Sequence, residues 1–250
     1  MRITPIQNYS QNRRYDCSFQ AYQRGIYDKT GKFLYNTTTY FFRPDLDWDA
    51  LGNFISYVYR KVDKVNVFCH ACSTGMEPYS FVIQTLKYHL KEAKKFLPVI
   101  AKDLTQENIE IAKKGYLGIN IDDLWRIKTK TRGDYSTYLN FEKTQDFTHE
   151  LAVQVTDLLK DNVKFAQGDI FEDIGKMPRS NTVLFCRNFW PYLSPEKREK
   201  LATMLENKFD DTSLVIIGDY DTEKANVDKL LRNHGFYEFV GISKVFCKFR

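Results

Sequence analysis

The sequence predicts an α/β chain: a doubly wound, mostly parallel sheet of seven strands, with an antiparallel hairpin at its C-terminal end and a small inserted β-subdomain. Three observations carry the prediction. From about residue 62 onward, short apolar or β-branched runs alternate with stretches whose apolar residues recur at helical spacing, the pattern of a sheet with helices on its faces. The last two strand-like runs are separated by little more than "ISK", too short for a crossover helix, so they pair antiparallel. A chain of 250 residues with 43% hydrophobic content can also bury a sizeable core.

Taken in order, residues 1–60 are aromatic and polar with weak periodicity and read as a short N-terminal segment or lid, and residues 61–250 as the main domain. The strand candidates are "VNVFC", "LPVIA", "VKFA", "TVLFC", "SLVIIG", "YEFVG" and "KVFCKF". Between them the spacing predicts helices over "EPYSFVIQTLKYHLKEA", "TQENIEIAKK", "THELAVQVTDLLK", "SPEKREKLATMLENKF" and "TEKANVDKLLRNHG". Residues 115–145 interrupt this rhythm with alternating stretches around Gly133-Asp134, a turn signal, and read as an inserted β-hairpin beside the sheet.

Composition narrows the function classes. The start is polar and lacks the apolar stretch of a signal peptide, and no run reaches the length of a membrane span, so the expectation is a cytoplasmic protein without membrane insertion. Its five cysteines suit reduced thiols better than a disulfide framework. The net charge of +5 comes from lysines and arginines interleaved with acids, a solvated surface rather than a basic stripe, and no nucleic acid partner is expected. Cys69, His70 and Cys72 invite a metal reading. A structural zinc needs four ligands, however, and no second Cys-x-x-Cys or His pair lies at a useful spacing, so no metal is expected. The other histidines, His89, His149 and His234, are scattered.

In an open α/β sheet, ligands bind beyond the carboxyl ends of the strands, which makes "CHACSTGMEPYS", after the first strand, the leading candidate loop. It has neither Gly-x-Gly-x-x-Gly nor a Gly-Lys-Ser phosphate loop, and so suits a ligand that is not held by its phosphates. Acids follow later strands, Asp103 in "AKDL" and Asp169 in "QGDIF". Each alone could be an N-cap, but together they converge on one sheet edge.

These segments resemble the CheR-type chemotaxis receptor methyltransferases, which methylate glutamate side chains with S-adenosylmethionine. "ACSTGMEPYS" is similar to the family's cofactor loop, "TTTYFFRP" to its Thr-x-Phe-Phe-Arg segment, "AKDLTQENIEIAKKGYL" to its second strand and helix, and "VLFCRNFWPYLSPEKREKL" to its Cys-Arg-Asn motif with a Tyr-containing turn. The four occur in the family's order over roughly residues 37–220. The resemblance implies a Rossmann-like methyltransferase fold, S-adenosylmethionine as cofactor with S-adenosylhomocysteine as product, and a protein substrate such as a chemoreceptor cytoplasmic region.

The resemblance also implies cofactor contacts from Thr39, Ala71, Ser73, Thr74, Gly75, Glu77, Asp103, Asp169, Ile170, Arg187, Asn188 and Tyr192. On this view Gly75 admits close backbone approach, Glu77 pairs with the ammonium, Asp103 accepts from the ribose hydroxyls, and Asp169 accepts from the adenine amine. Arg187 stands either beside the cofactor or paired with an acid in the sheet-end loops. Tyr192 is either a packed aromatic or a ring near the sulfonium, and Arg43 is either a surface residue or the group that orients an acceptor carboxylate. Arg43 and Tyr192 are the catalytic candidates.

Departures from the family bear on the acceptor more than on the cofactor. Residues 1–36 contain "RRYD" as the sole basic pair, where the family carries a longer helical domain with a basic face. Gly218-Asp219-Tyr220-Asp221 stands where the family has Gly-His-Ser-Glu, and Asp169 where it has an amide. The leading expectation is a protein-glutamate O-methyltransferase. The alternatives are a methyltransferase acting on another protein or a small molecule, and a non-catalytic domain that binds S-adenosylmethionine or its product.

Overall fold

A computed structural model describes residues 25–27, 33–36, 39–143 and 151–248; Cys17, His149 and most of the expected N-terminal segment before Thr39 lie outside the described residues. In chain order the strands are β1 (Gly25–Tyr27), β2 (Phe33–Asn36), β3 (Asn66–His70), β4 (Val99–Asp103), β5 (Tyr116–Ile119), β6 (Leu139–Lys143), β7 (Leu151–Val155), β8 (Val163–Gln167), β9 (Thr182–Cys186), β10 (Leu214–Ile216), β11 (Phe236–Glu238) and β12 (Val245–Lys248). Seven of them form the main sheet in the order β11-β12-β10-β9-β3-β4-β8. The five strands from β10 to β8 are parallel, and β12 pairs antiparallel with both β10 and β11. The doubly wound sheet with its C-terminal antiparallel hairpin is therefore as the sequence predicts.

Strand β9 lies near the centre and is buried at every position, which is why "TVLFC" reads as a continuous apolar run rather than an alternating one. Its side chains still alternate between faces. Val183 and Phe185 join the core under helices Trp48–Val58 and Met76–Tyr88, whereas Leu184 and Cys186 join the core under helices Pro195–Lys208 and Val227–Asn233. The segment from Phe41 to Tyr59 contributes Phe41, Phe42, Trp48, Leu51, Ile55 and Tyr59 to the first of these cores. Trp48 stacks on Phe185, ring centroids 6.2 Å apart. No helix among the described residues is long and apolar enough to cross a membrane.

The region after β4 departs from expectation. Strands β5 and β6 do not pair with each other; β7 lies between them in a three-stranded antiparallel sheet. The residues around Gly133 are no hairpin turn but the exit of helix Ile121–Thr131, whose start is fixed by a reciprocal cap between Asn120 and Asp123. The expected helix over residues 148–160 is likewise corrected: Leu151–Val155 is a strand, and only Asp157–Lys160 is helical. In "LAVQV", Val153 and Val155 are β-branched and buried between two flanking strands, so tertiary pairing overrides the helical spacing of Leu151, Val155 and Leu158.

Candidate active site

Because β3, β4, β8 and β9 run parallel, their carboxyl ends open at one edge, and the loops that follow them enclose a cavity of about 320 Å3, ample for a small molecule. Of the residues expected there, Thr39, Arg43, Ala71, Ser73, Glu77, Asp103, Asp169, Ile170, Arg187, Asn188 and Tyr192 line it. Thr74 and Gly75 do not.

The loop after β3 turns sharply because Ala71, Ser73 and Gly75 all have positive φ, at 57°, 50° and 92°. Packing and backbone conformation both call for Gly75: its φ is 92°, and a Cβ there would lie 2.8 Å from Phe165 Cζ and 3.1 Å from Ala112 Cβ. The loop is anchored from β4. Cys72 N donates to Lys102 O at 3.1 Å, and Ser73 N donates to Asp103 Oδ2 at 2.8 Å. Asp103 Oδ1 accepts from Thr105 N at 2.9 Å and Asn108 Nδ2 at 3.2 Å. Burial raises the Asp103 pKa despite these hydrogen bonds, which pull the other way. Asp103 is thus a structural tether as well as an oxygen acceptor facing the cavity. Asp169 also serves twice, lining the cavity while its Oδ1 caps helix Ile170–Asp173 by accepting from Phe171 N at 2.9 Å.

Arg187 lines the cavity and is also paired with acids of the sheet-end loops. Its side chain is fully buried and its guanidinium forks to two carboxylates, Nη1 to Glu77 and Nη2 to Asp45. Burial alone would lower its pKa; Glu77 and Asp45 outweigh that and raise it. Glu77 is therefore already neutralised from one side, and its other oxygen accepts from Cys69 Sγ at 3.3 Å. Asp45 has its pKa held down, against burial, by Arg187 and Arg43, and it accepts from Asp219 N at 3.1 Å. Arg43 is part of the same cluster, Nε 3.7 Å from Asp45 Oδ1, with its guanidinium carbon 5.5 Å from the centre of the Tyr40 ring.

The β9 loop is held by Asp221. Its carboxylate accepts from the backbone of Asn188 at 2.6 Å, Gly218 at 2.8 Å and Trp190 at 3.1 Å. Burial nonetheless pushes its pKa up to about 6. Asn188, at φ 62°, packs so closely that a Cβ on Gly218 would lie 2.3 Å from its Oδ1. Tyr192 follows in the same loop, 5.8 Å from the Tyr220 ring. The differently spelled Gly218-Asp219-Tyr220-Asp221 thus ends in an acid with a defined task. Sequence reasoning missed Asp45, Tyr40 and Asp221. An acid two residues past Arg43 and one three residues past Gly218 were the available signals, and each reads as surface until the fold closes. Cys69 and Cys72 are buried thiols whose pKa burial raises, and Cys69 donates to Glu77.

The family profile described as "CheR methyltransferase, SAM binding domain" matches residues 37–235. A chemotaxis protein methyltransferase from Borreliella burgdorferi is 24% identical over 199 residues, 75% of this chain and 65% of that protein. One from Salmonella typhimurium is 29% identical over 168 residues, 67% of this chain and 54% of that protein. The chain thus spans 65% and 54% of the length of these two curated relatives. Among solved structures, magnesium protoporphyrin IX methyltransferase from Synechocystis with bound SAM superposes with a TM-score of 0.42 at 10% identity, covering 100% of each chain.

Proposed function

The chain belongs to the CheR methyltransferase family, and from that premise we propose that it transfers a methyl group from S-adenosylmethionine to a protein carboxylate, a glutamate side chain such as those of chemoreceptor cytoplasmic regions. The observation that carries this is the meeting of Arg43 and Tyr192, from distant segments, in one cavity wall with Asp103 and Glu77. The donor set suits the cofactor. Asp103 offers oxygen to a ribose diol, the Glu77–Arg187 pair offers both charges to an amino-acid end, and Asp169 with Ile170 offers a carboxylate and a backbone to the purine.

S-adenosylmethionine, when bound, supplies an electrophilic methyl on a sulfonium. An acceptor carboxylate oxygen would take that methyl as the carbon–sulfur bond broke, the electron pair leaving with sulfur. No proton moves, because a glutamate with a pKa of about 4.3 is already ionised. The protein's task is alignment and exclusion of water. Arg43 orients the acceptor carboxylate: it lines the cavity, where Asp45 lies 3.7 Å from its Nε, beyond hydrogen-bond reach. Tyr192 places an electron-rich ring near the sulfonium.

Calorimetry with S-adenosylhomocysteine tests the cofactor, and absence of binding at high micromolar ligand overturns the proposal. Labelled methyl transfer into chemoreceptor cytoplasmic fragments, followed by alkali, separates base-labile esters from stable N-methyl products. Arg43→Ala is expected to lower transfer by one to two orders of magnitude, roughly the loss of one charged hydrogen bond in the transition state, while leaving S-adenosylhomocysteine binding within about threefold. Normal transfer by this variant would remove Arg43 from its role.

A further inference from the structure

Tyr40 lines the cavity beside Thr39 and Arg43, at the letter left open in Thr-x-Phe-Phe-Arg. Its backbone is well fixed. Thr39 and Phe41 on either side are buried, and Phe41 is held at its N–H by Asp123 and at its carbonyl by Arg126. The Tyr40 ring meets two cations. The guanidinium carbon of Arg43 stands over it at 5.5 Å from the centroid and that of Arg126 at 5.7 Å, both within the reach of a cation–π contact.

The two cations differ in what else holds them. Arg126 is pinned by Asp123 Oδ1 at 2.8 Å and by Phe41 O at 2.9 Å. Arg43 is fixed at its backbone, where its carbonyl accepts from Trp48 Nε1 at 3.1 Å, but its guanidinium makes no hydrogen bond among the described residues. Asp45 Oδ1, 3.7 Å from Nε, is engaged by Arg187 Nη2, and Asp45 Oδ2 accepts from Asp219 N at 3.1 Å. A long side chain tied by so distant an ion pair keeps rotamer freedom, and that freedom works against alignment of whatever it binds. The Tyr40 ring supplies a wall. Its electron-rich face attracts the guanidinium and, being flat, favours a stacked direction for a planar cation. Burial raises the phenol's pKa, with Arg43 pulling the other way, so the group is an uncharged ring rather than a phenolate.

We propose that Tyr40 is a positioning residue for methyl transfer, the face of its ring setting the direction in which the Arg43 guanidinium meets the acceptor carboxylate. The inference rests on the role given to Arg43 above and deepens it. Tyr40 acts through Arg43, and Arg126, anchored to the insertion by Asp123, steadies the ring in turn. Nothing in this arrangement touches Asp103, Glu77 or Arg187, so the cofactor side of the cavity is left as it is.

The test is a double-mutant cycle on the full chain, read by labelled methyl transfer into chemoreceptor cytoplasmic fragments beside calorimetry with S-adenosylhomocysteine. Tyr40→Leu is expected to lower kcat/KM for the acceptor about fivefold, the loss of one partly shielded cation–π contact, with S-adenosylhomocysteine affinity kept within about twofold. Tyr40→Phe, which keeps the ring face, is expected to retain most of the wild-type rate. In an Arg43→Ala background Tyr40→Leu is expected to cost less than about twofold, because the ring then has nothing to direct. Equal losses from Tyr40→Leu with and without Arg43 overturn the proposal, since packing alone would give them. So does a Tyr40→Phe protein as impaired as Tyr40→Leu, which would assign the work to the hydroxyl, and so does a fall in transfer matched by a fall in S-adenosylhomocysteine affinity. If the wild type transfers no label, or Arg43→Ala transfers normally, the functional reading fails and this inference with it. An impaired Arg43→Ala beside a normal Tyr40→Leu removes Tyr40 alone.

Discussion

At the scale of single residues, the site is dominated by one buried cation. Arg187 answers Glu77 from the loop after β3 and Asp45 from the segment after Arg43, so three parts of the chain meet on its guanidinium. Removing it strands two carboxylates that burial has already partly dehydrated. Arg187→Met is expected to cost about 3–5 kcal/mol in urea unfolding, and Arg187→Lys to recover little of that, because a single ammonium cannot fork to two separate carboxylates. A loss below about 1 kcal/mol in Arg187→Met would show the cluster to be solvated after all. The place of Asp103 was legible in the sequence, because the carboxyl end of a parallel strand opens on the loop edge and that placement needs only the strand to be recognised. The partnership of Arg187 was not legible, since nothing in "FCRNFW" says which of many acids it faces. His70 was no more legible: beside Cys69 and Cys72 it invites a metal reading that no second ligand pair completes, and nothing in "CHAC" tells that the imidazole is buried.

At the scale of elements, the inner strands β9 and β10 were readable because burial on both faces leaves an unbroken apolar run, as in "TVLFC". Residues 115–145 were misread because the alternation around Gly133 suggested a hairpin where a helix ends, and β7, just beyond them, was misread because its apolar residues suit a helix equally well and only its neighbours β5 and β6 decide the matter. Gly75 gives an element-scale test of the cofactor loop. With φ at 92° and Phe165 Cζ 2.8 Å from where a Cβ would sit, Gly75→Ala must shift β8 or the loop, and a loss of about 1–3 kcal/mol is expected from the urea midpoint. Helix Pro195–Lys208 gives another. His234 bridges two of its glutamates, Nδ1 to Glu206 at 2.7 Å and Nε2 to Glu199 at 2.8 Å. Burial by itself would lower the His234 pKa, and the two glutamates reverse that and raise it. A raised folded pKa means the contact stabilises fully below the unfolded value of about 6.5 and fades as pH rises through the folded value. Being near the surface, it is worth only about 0.5 kcal/mol. Thermal unfolding is expected to show a small loss of midpoint from pH 6 to pH 8.5 that His234→Gln lacks; an identical pH slope in both proteins would rule the contact out as its source.

At the scale of the whole molecule, the inserted region braces the segment that carries Arg43. Phe41 N donates to Asp123 Oδ1 at 3.0 Å, Arg126 Nε donates to Phe41 O at 2.9 Å, and Arg126 Nη2 closes the triangle on Asp123 Oδ1 at 2.8 Å. Phe42 N donates to Ser80 Oγ at 2.8 Å, tying the same segment to the helix of the cofactor loop. Thr39, Tyr40 and Arg43 therefore reach the cavity from a stretch of chain clamped between the insertion and helix Met76–Tyr88. None of this could be seen in the sequence, where "IDDLWRIKTKT" reads as a charged surface stretch and Asp123 as one acid among several. Asp123 is 2% exposed, and burial raises its pKa against the pull of Arg126 and the backbone donors, so its loss leaves Phe41 N and Arg126 short of an acceptor. Asp123→Ala is expected to cost about 1–3 kcal/mol in stability. Its more telling effect lies at a distance: hydrogen exchange at the Phe41 amide should accelerate, and methyl transfer should fall further than the affinity for S-adenosylhomocysteine, because Arg43 loses its fixed position while Asp103, Glu77 and Arg187 keep theirs. If the Phe41 amide stays protected in Asp123→Ala, the segment is held by helix Met76–Tyr88 without the insertion, and the insertion has no part in setting the acceptor side of the site.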